Sequence, residues 1–464
     1  MTPTLHTIRD CLEGAVPAVI ATCDPQGVPN VSYVSEVHYV DASHVALSYQ
    51  FFSKTRQNVL CNPRATVLVI HPHSGAQYRL VLRYLRTEQS GPLFESMKAK
   101  LAGIASHTGM SGVFALRGSD VYHVERIEEA CGPTLPVPAR ETNLLAQLRL
   151  GVARLAAAGD LNALVDELLA TLREKLAITH GMVLLRDAAT GKLFTVASFG
   201  YRQSGVGAEI APGQGVIGVA AQEGTPIRLS HATSEFGYGR AVRRSATGQG
   251  LALGPEQEIP FPGLPESRSQ LAVPVKGIAG LIGVLFVEST EDGRFGYDDE
   301  DALMLLASLA GMAYDRLARS DADEDAMESP ARATPVSSGP PLRIRHYSEN
   351  DSIFCGDEYL IKGVAGAILW KLVRAYVDEG RSEHTNRELR LDSSLRLPEL
   401  SENLEARLIL LQRRLRERCP GLQIEKTGRG RFRLVVGQPL SLAEAGGVDP
   451  ATAGPGRAAR RSPN

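Results

Sequence analysis

Apolar and polar residues change rhythm along the chain, and each rhythm predicts a different kind of element. From Ala18 to Glu129 the apolar residues fall in short runs separated by turn residues. "AVIATC" leads into Asp24, Pro25, Gln26 and Gly27, and "VSYVSEVHYV" and "HVALSY" flank a turn at Asp41. "ATVLV", "QYRLVLRYLRT" and "VYHVERI" complete the set, and one helix, "PLFESMKAKLAGIA", interrupts it. Short strands with turn signals between them predict an antiparallel barrel. From Leu144 the period lengthens. "LLAQLRLGVARLAAA" and "LNALVDELLATLREKL" repeat apolar residues at three- and four-residue steps, as amphipathic helices do. Strands "GMVLLRD" and "LFTVASFG", then "SQLAVPVK" and "LIGVLFVES", follow, and the helix "DDEDALMLLASLAGMAYDRL" closes the stretch. Helices bracketing an antiparallel sheet predict an α+β domain. A third block starts at "SIFCGDEYLIKG", continues through helices and ends in "LQIEKTGRGRFRLVV", two strands joined by basic, Gly-rich residues.

Two seams divide these blocks. "CGPTLPVPARETN" is rich in proline, and residues 319–341 are acidic and then rich in Pro and Ser. Neither buries enough apolar surface to offset chain ordering, so both read as linkers. The tail, residues 439–464, reads as disordered on the same ground. The predicted organisation is therefore a barrel over 1–130, an α+β domain over 144–318, a disordered linker over 319–341, a third domain over 342–438, and the tail.

Composition narrows the function classes. A length of 464 residues suggests about three domains, and 43% hydrophobic with 22% charged residues is the balance of a globular protein. The net charge of -2 gives no global attraction to nucleic acid or membrane, so such a preference has to be local. No apolar run approaches the roughly 20 residues that span a bilayer, and the N-terminus does not read as a signal peptide. Six scattered cysteines without a CxxC argue for a reducing, cytoplasmic setting, with neither disulfide framework nor zinc ribbon. "IHPHSG" carries His71 and His73, which read as a turn with solvated histidines and not as a metal site.

The sharpest local chemistry lies at Ser53, Lys54, Thr55, Arg56, Gln57 and Asn58, a polar knot where a strand gives way to a helix. Hydroxyls, cations and helix N–H groups are what a phosphate needs; an ordinary solvated helix start is the alternative. With "PQGVPNVSYV", "SKTRQNVLCNPRATVLV" and "GPLFESM" in this order, residues 1–130 resemble the pyridoxamine 5'-phosphate oxidase-like split barrel, a family that binds FMN. The resemblance implies that Ser53 and Lys54 hold the FMN phosphate, helped by Thr55, Asn58 and Gln77, with Arg56 solvated. It identifies no catalytic residue. Some members of the family carry haem or another cofactor in the barrel.

The second block resembles a GAF domain, a small-molecule sensor, through "PGQGVIGVAAQEGTPIRLSH", "SQLAVPVKGIAGLIGVLFVES" and the bracketing helices. These residues are architectural and leave the ligand open. No cysteine lies in the block, which excludes a thioether-linked bilin there, while His180 and His231 can touch a ligand or simply belong to the fold. A GAF domain that only dimerises is the alternative. The third block resembles the winged-helix domain of response-regulator transcription factors. "NLEARLILLQRRLRERCP" stands as recognition helix and "IEKTGRGRFRLVV" as wing. Ala406, Leu408, Leu411 and Leu415 form a core stripe that leaves Arg407, Arg413, Arg414 and Arg418 outward, and Lys426, Arg429 and Arg431 line the wing. That is the electrostatic footprint of DNA binding, against a plain surface helix with paired charges.

The fold class expected is thus multidomain α+β: an antiparallel split β-barrel, an α/β/α GAF sensor, then a winged helix. The expected function is a cytoplasmic one-component regulator that couples FMN and a GAF ligand to DNA binding, as a homodimer. An FMN-dependent oxidoreductase regulated by its GAF domain is the rival.

Overall fold

The computed structural model describes residues 3–12, 16, 18–34, 37–49, 54–98, 116–130, 132–136, 143–188, 190–229, 259, 261–291, 293–322, 340–395, 404–428 and 430–445. Within it the chain divides into two compact units, Met1–Arg319 and Ser320–Asn464.

The first unit opens with a short 3-10 helix, Arg9–Leu12, and a seven-stranded antiparallel sheet in the order β2-β1-β5-β6-β7-β4-β3. Its strands are β1 (Ala18–Cys23), β2 (Pro29–Val34), β3 (Val37–Tyr39), β4 (His44–Tyr49), β5 (Arg64–Ile70), β6 (Gln77–Glu88) and β7 (Gly118–Ala130). Alternation places Ala65, Val67 and Val69 of β5 inward, where they meet Ile20, Val45, Leu80, Leu82 and Tyr122 in one core. Helix α1 (Lys54–Cys61) follows β4 and packs on β1 and β2. A second helix, α2, covers 92–98.

Helices α3 (Leu144–Ala157) and α4 (Leu161–Lys175) come next, each started by a side-chain cap, Asn143 on the Ala146 N–H and Asp160 on the Ala163 N–H. A six-stranded sheet follows, in the order β10-β9-β8-β13-β12-β11. Its strands are β8 (His180–Arg186), β9 (Leu193–Phe199), β10 (Glu209–Ile210), β11 (Ile227–Leu229), β12 (Ser269–Gly277) and β13 (Gly280–Ser289). Met182, Leu184, Ala272, Val284 and Phe286 point from one face into helix α5 (Gly215–Glu223). The alternate residues Val183 and Leu185, also buried, serve the other face, where α4 packs on β8 and β9. Helix α6 (Tyr297–Ala322) lies so close to β12 that a Cβ on Gly311 would strike the Lys276 carbonyl, so only glycine fits there.

The second unit pairs β14 (Leu342–Tyr347), β15 (Ser352–Cys355) and β16 (Glu358–Ile361) in a sheet ordered β16-β15-β14-β20. Then come α7 (Gly363–Glu379), β17 (Glu383–Thr385), α8 (Asn386–Leu391) and α9 (Leu404–Arg418). The hairpin of β18 (Leu422–Gly428) and β19 (Arg431–Val436) joins β17 in a three-stranded sheet. Two expectations are corrected here. The tail is not disordered throughout, because β20 (Leu440–Ala445) pairs in parallel with β14 from Leu342↔Leu440 to Tyr347↔Ala445. The cysteines are not all separate either: Cys355 and Cys419 form a disulfide, with Cα atoms 6.3 Å apart, tying β15 to the residue after α9. Their separation of 64 residues in sequence hid the pair.

Candidate functional site

At the knot the helix start is real, and the structure sorts its side chains into two roles. Lys54 is the first residue of α1 and its side chain is exposed. Thr55 Oγ1 lies 2.9 Å from both Asn30 Nδ2 and Ser32 Oγ, which fastens α1 to β2. Asn58 is buried and donates from Nδ2 to Thr22 Oγ1 at 3.1 Å, which fastens α1 to β1. Arg56, expected in solvent, is instead ion-paired with the buried Asp120 of β7 and donates to Thr87 Oγ1 at 3.1 Å. Thr87 Oγ1 in turn lies 2.7 Å from the Tyr84 hydroxyl. Burial, with Asp120 nearby, pushes the Tyr122 phenol up and keeps it neutral.

Gln77 does not join this group within the chain. Arg56 meets β6 at Thr87, whereas Gln77 begins that strand ten residues earlier, about 33 Å away along it. Ser53 lies outside the described residues. Asn30, Ser32, Thr22 and Asp120, which sequence reasoning missed, supply the knot's partners; alternation along β2, with Asn30 and Ser32 on one face, was the available signal. What remains fits a phosphate monoester in its chemistry: one exposed ammonium at a helix's first residue, with the Thr55 and Ser32 hydroxyls beside the helix start.

The "IHPHSG" segment is a turn. His71 Nδ1 accepts the backbone N–H groups of His73 at 3.2 Å and Ser74 at 3.1 Å.

The barrel and the following domain touch through a stack of guanidinium groups on one ring. Arg9 lies 5.0 Å and Arg228 4.2 Å from the Tyr297 ring centroid. Arg9 is ion-paired with Asp298 and Asp301 at the start of α6, and Arg228 with Glu300 at 2.7 Å. Tyr39 of β3 adds an edge contact to Tyr297 at 6.4 Å. An arginine flanked by Ile227 and Leu229 in a buried three-residue strand was the sequence signal for an interior ion pair.

In the second domain, His180 is half-buried with its ring 5.4 Å from that of Tyr201. His231 lies outside the described residues.

In the C-terminal unit the expected outward arginines divide as well. Ala406, Leu411 and Leu415 are buried as the core stripe requires, but Arg407 and Arg414 are buried too. Arg414 Nε donates to the Leu360 carbonyl at 2.8 Å and Nη2 to that of Tyr359 at 3.4 Å, so it braces α9 against β16. The expectation that these two face outward is corrected: α9 packs on α7, α8, β16 and β18, which leaves no residue from Leu404 to Leu415 exposed. Arg413 is half-buried, and Arg418 is exposed, 3.8 Å from Glu358. On the hairpin Lys426 is exposed and Arg431 half-buried, and Arg429 lies outside the described residues.

Comparison with known proteins fits this architecture. Residues 4–123 match the family described as pyridoxamine 5'-phosphate oxidase, and residues 158–315 match the GAF domain. Neither match reaches the C-terminal unit. No curated protein matches the chain. Among solved structures, an FMN-binding protein from Syntrophomonas wolfei is 17% identical, with 27% of this chain and 90% of that one covered at a TM-score of 0.23. The GAF domain of an Acinetobacter phosphoenolpyruvate-protein phosphotransferase is 20% identical, covering 40% and 98% at a TM-score of 0.30. Free methionine-R-sulfoxide reductase from Neisseria meningitidis, solved with its substrate, is 18% identical, covering 40% and 96% at 0.30. The chain thus carries a pyridoxamine 5'-phosphate oxidase-like domain over residues 4–123, followed by a GAF domain over residues 158–315.

Proposed function

We propose that the chain is a sensor whose barrel holds FMN, whose GAF domain takes a small ligand, and whose C-terminal unit binds DNA. The observation that carries the flavin part is Lys54, exposed at the first residue of α1 beside the Thr55 and Ser32 hydroxyls. Lys54 supplies charge to the phosphate of FMN, and Ser53 and the N-terminal amides supply directed hydrogen bonds. Bound FMN contributes a redox- and light-absorbing isoalloxazine, while the protein's part is to hold it by the phosphate. The DNA-binding part rests on element order: a sheet, α7, β17, α8, α9 and a hairpin, in the sequence a winged helix uses. Because Arg407 and Arg414 are buried, contacts to DNA fall to Arg413, Arg418, Lys426, Arg429 and Arg431, and phosphate contact dominates base reading.

A homodimer belongs to the same reading. Tyr33 on edge strand β2 is 82% exposed and Met312 on α6 is 69% exposed, apolar surface that a second copy would cover. No helix among the described residues is long and apolar enough to cross a membrane.

The flavin part is tested by titrating the full chain and Lys54→Ala with FMN and with riboflavin. Loss of a charge-assisted contact of about 1.5–3 kcal/mol weakens FMN roughly tenfold to hundredfold and leaves riboflavin, which has no phosphate, unchanged. Equal loss of both ligands contradicts a phosphate site at the knot.

A further inference from the structure

The bond between Cys355 of β15 and Cys419 sits where the C-terminal unit passes from α9 into the β18–β19 hairpin. The Cys419 carbonyl accepts the Leu422 N–H at 2.9 Å, and β18 begins at Leu422. Cys419 is only 1% exposed while Cys355 is half-buried, so the bond is approached from the Cys355 side. Most of α9 is fixed without it. Leu411 and Leu415 lie in the core, and Arg414 holds the Leu360 and Tyr359 carbonyls. Beyond them Arg416, Glu417 and Arg418 are exposed, and Arg418 meets Glu358 at 3.8 Å in an exposed pair of little weight. The disulfide is therefore the firm tie between the end of α9 and the paired strands β15 and β16.

The other described cysteines are free, with Cys61 exposed among them. An exposed free thiol fits a reducing setting, in which a disulfide that serves stability alone is not retained. Two thiols cannot sit at covalent distance, so opening the bond pushes the end of α9 away from β15, while the Arg414 brace and the buried leucines keep the rest in place. We propose that Cys355 and Cys419 form a reversible thiol–disulfide switch, worked by a low-molecular-weight thiol such as glutathione, that sets how firmly the end of α9 and the following hairpin are held. A glutathione thiolate attacks the Cys355 sulfur, the S–S bond breaks, and Cys419 leaves as a thiolate that takes up a proton. A second glutathione attacks the mixed disulfide, so two glutathiones are oxidised to their disulfide and the pair is reduced to two thiols. Lys426 and Arg431 stand on that hairpin, so the closed form presents them preorganised and binds DNA more tightly. This last consequence rests on the reading of the unit as DNA-binding; the switch itself does not.

The test equilibrates the full chain in buffers that run from reduced glutathione to glutathione disulfide. Alkylation and peptide mass follow the Cys355–Cys419 bond, hydrogen exchange follows the amides of 415–422, and titration with a DNA duplex at fixed salt follows affinity. The bond opens and closes reversibly within this range, and the amides at the end of α9 lose protection in the open form. DNA affinity falls at least about fivefold on opening. Cys355→Ser, at the half-buried position, matches the open form, and neither its amide protection nor its affinity follows the glutathione ratio. Cys61 is still present in that variant, so a response that persists there overturns the proposal. So does a bond that resists reduced glutathione until the unit unfolds, or one that never forms in glutathione disulfide. Equal amide protection in the two forms overturns it, as does DNA bound with equal or greater affinity by the open form. No DNA binding in either form contradicts the DNA-binding reading alone, and amide protection then decides the switch.

Discussion

His384 lies in β17, buried, with its ring stacked at 5.9 Å on Phe432, and Arg381 Nη2 is 3.1 Å from its Nδ1. A guanidinium only donates, so Nδ1 accepts and the imidazole is neutral. Burial and the neighbouring Arg381 bring its pKa down from 6.5 to about 4. With the folded value below the unfolded one, the folded unit binds fewer protons between pH 6.5 and 4, so stability falls as pH falls through that window. The slope is at most about 1.4 kcal/mol per pH unit. His384→Gln keeps an acceptor for Arg381 and removes the slope, which melting of the C-terminal unit across this range measures. Arg414 behaves as a brace by the same kind of argument. Arg414→Met keeps the volume but strands the Leu360 and Tyr359 carbonyls, and lowers stability by about 2 kcal/mol. A variant as stable as wild type but weaker on DNA would show that Arg414 faces the nucleic acid after all. Residue roles were the least legible part of the sequence. Lys54 and Arg56 look alike there, and only a carboxylate on β7, 64 positions from Arg56, shows that one is structural and the other exposed.

Elements were more legible, because alternation is local. The β5 and β6 runs fixed their own inward faces, and α3, α4 and α6 announced themselves by three- and four-residue spacing. Strand β20 did not, since a parallel edge strand shows itself only beside β14, 98 positions away along the chain. The seam between barrel and GAF domain was equally invisible. It includes the Tyr297 ring between Arg9 of the opening 3-10 helix and Arg228 of β11, and the pairing of Lys98 on α2 with Glu223 of α5 at 3.8 Å. Arg9→Ala removes a cation–π contact and two partly exposed ion pairs, and costs about 1 kcal/mol. In calorimetry of the full chain, the barrel and GAF transitions separate in this variant relative to wild type. An unchanged trace would mean the two domains do not sense each other through Tyr297.

At the scale of the whole molecule, the order of three blocks was readable from composition and periodicity, and two of them match known families. The output was not readable to the same degree, because basic residues on a helix look the same in sequence whether they brace a sheet or meet a phosphate. A sensor must also make its inputs change its output, by a differential affinity between states. That coupling is the central claim. It is measured most directly by the affinity of the full chain for a random-sequence DNA duplex, at one fixed salt, with and without saturating FMN. Binding is expected to weaken as salt rises and to change by about 5- to 150-fold on adding FMN. No salt-dependent binding, or the same affinity with and without FMN, would contradict it.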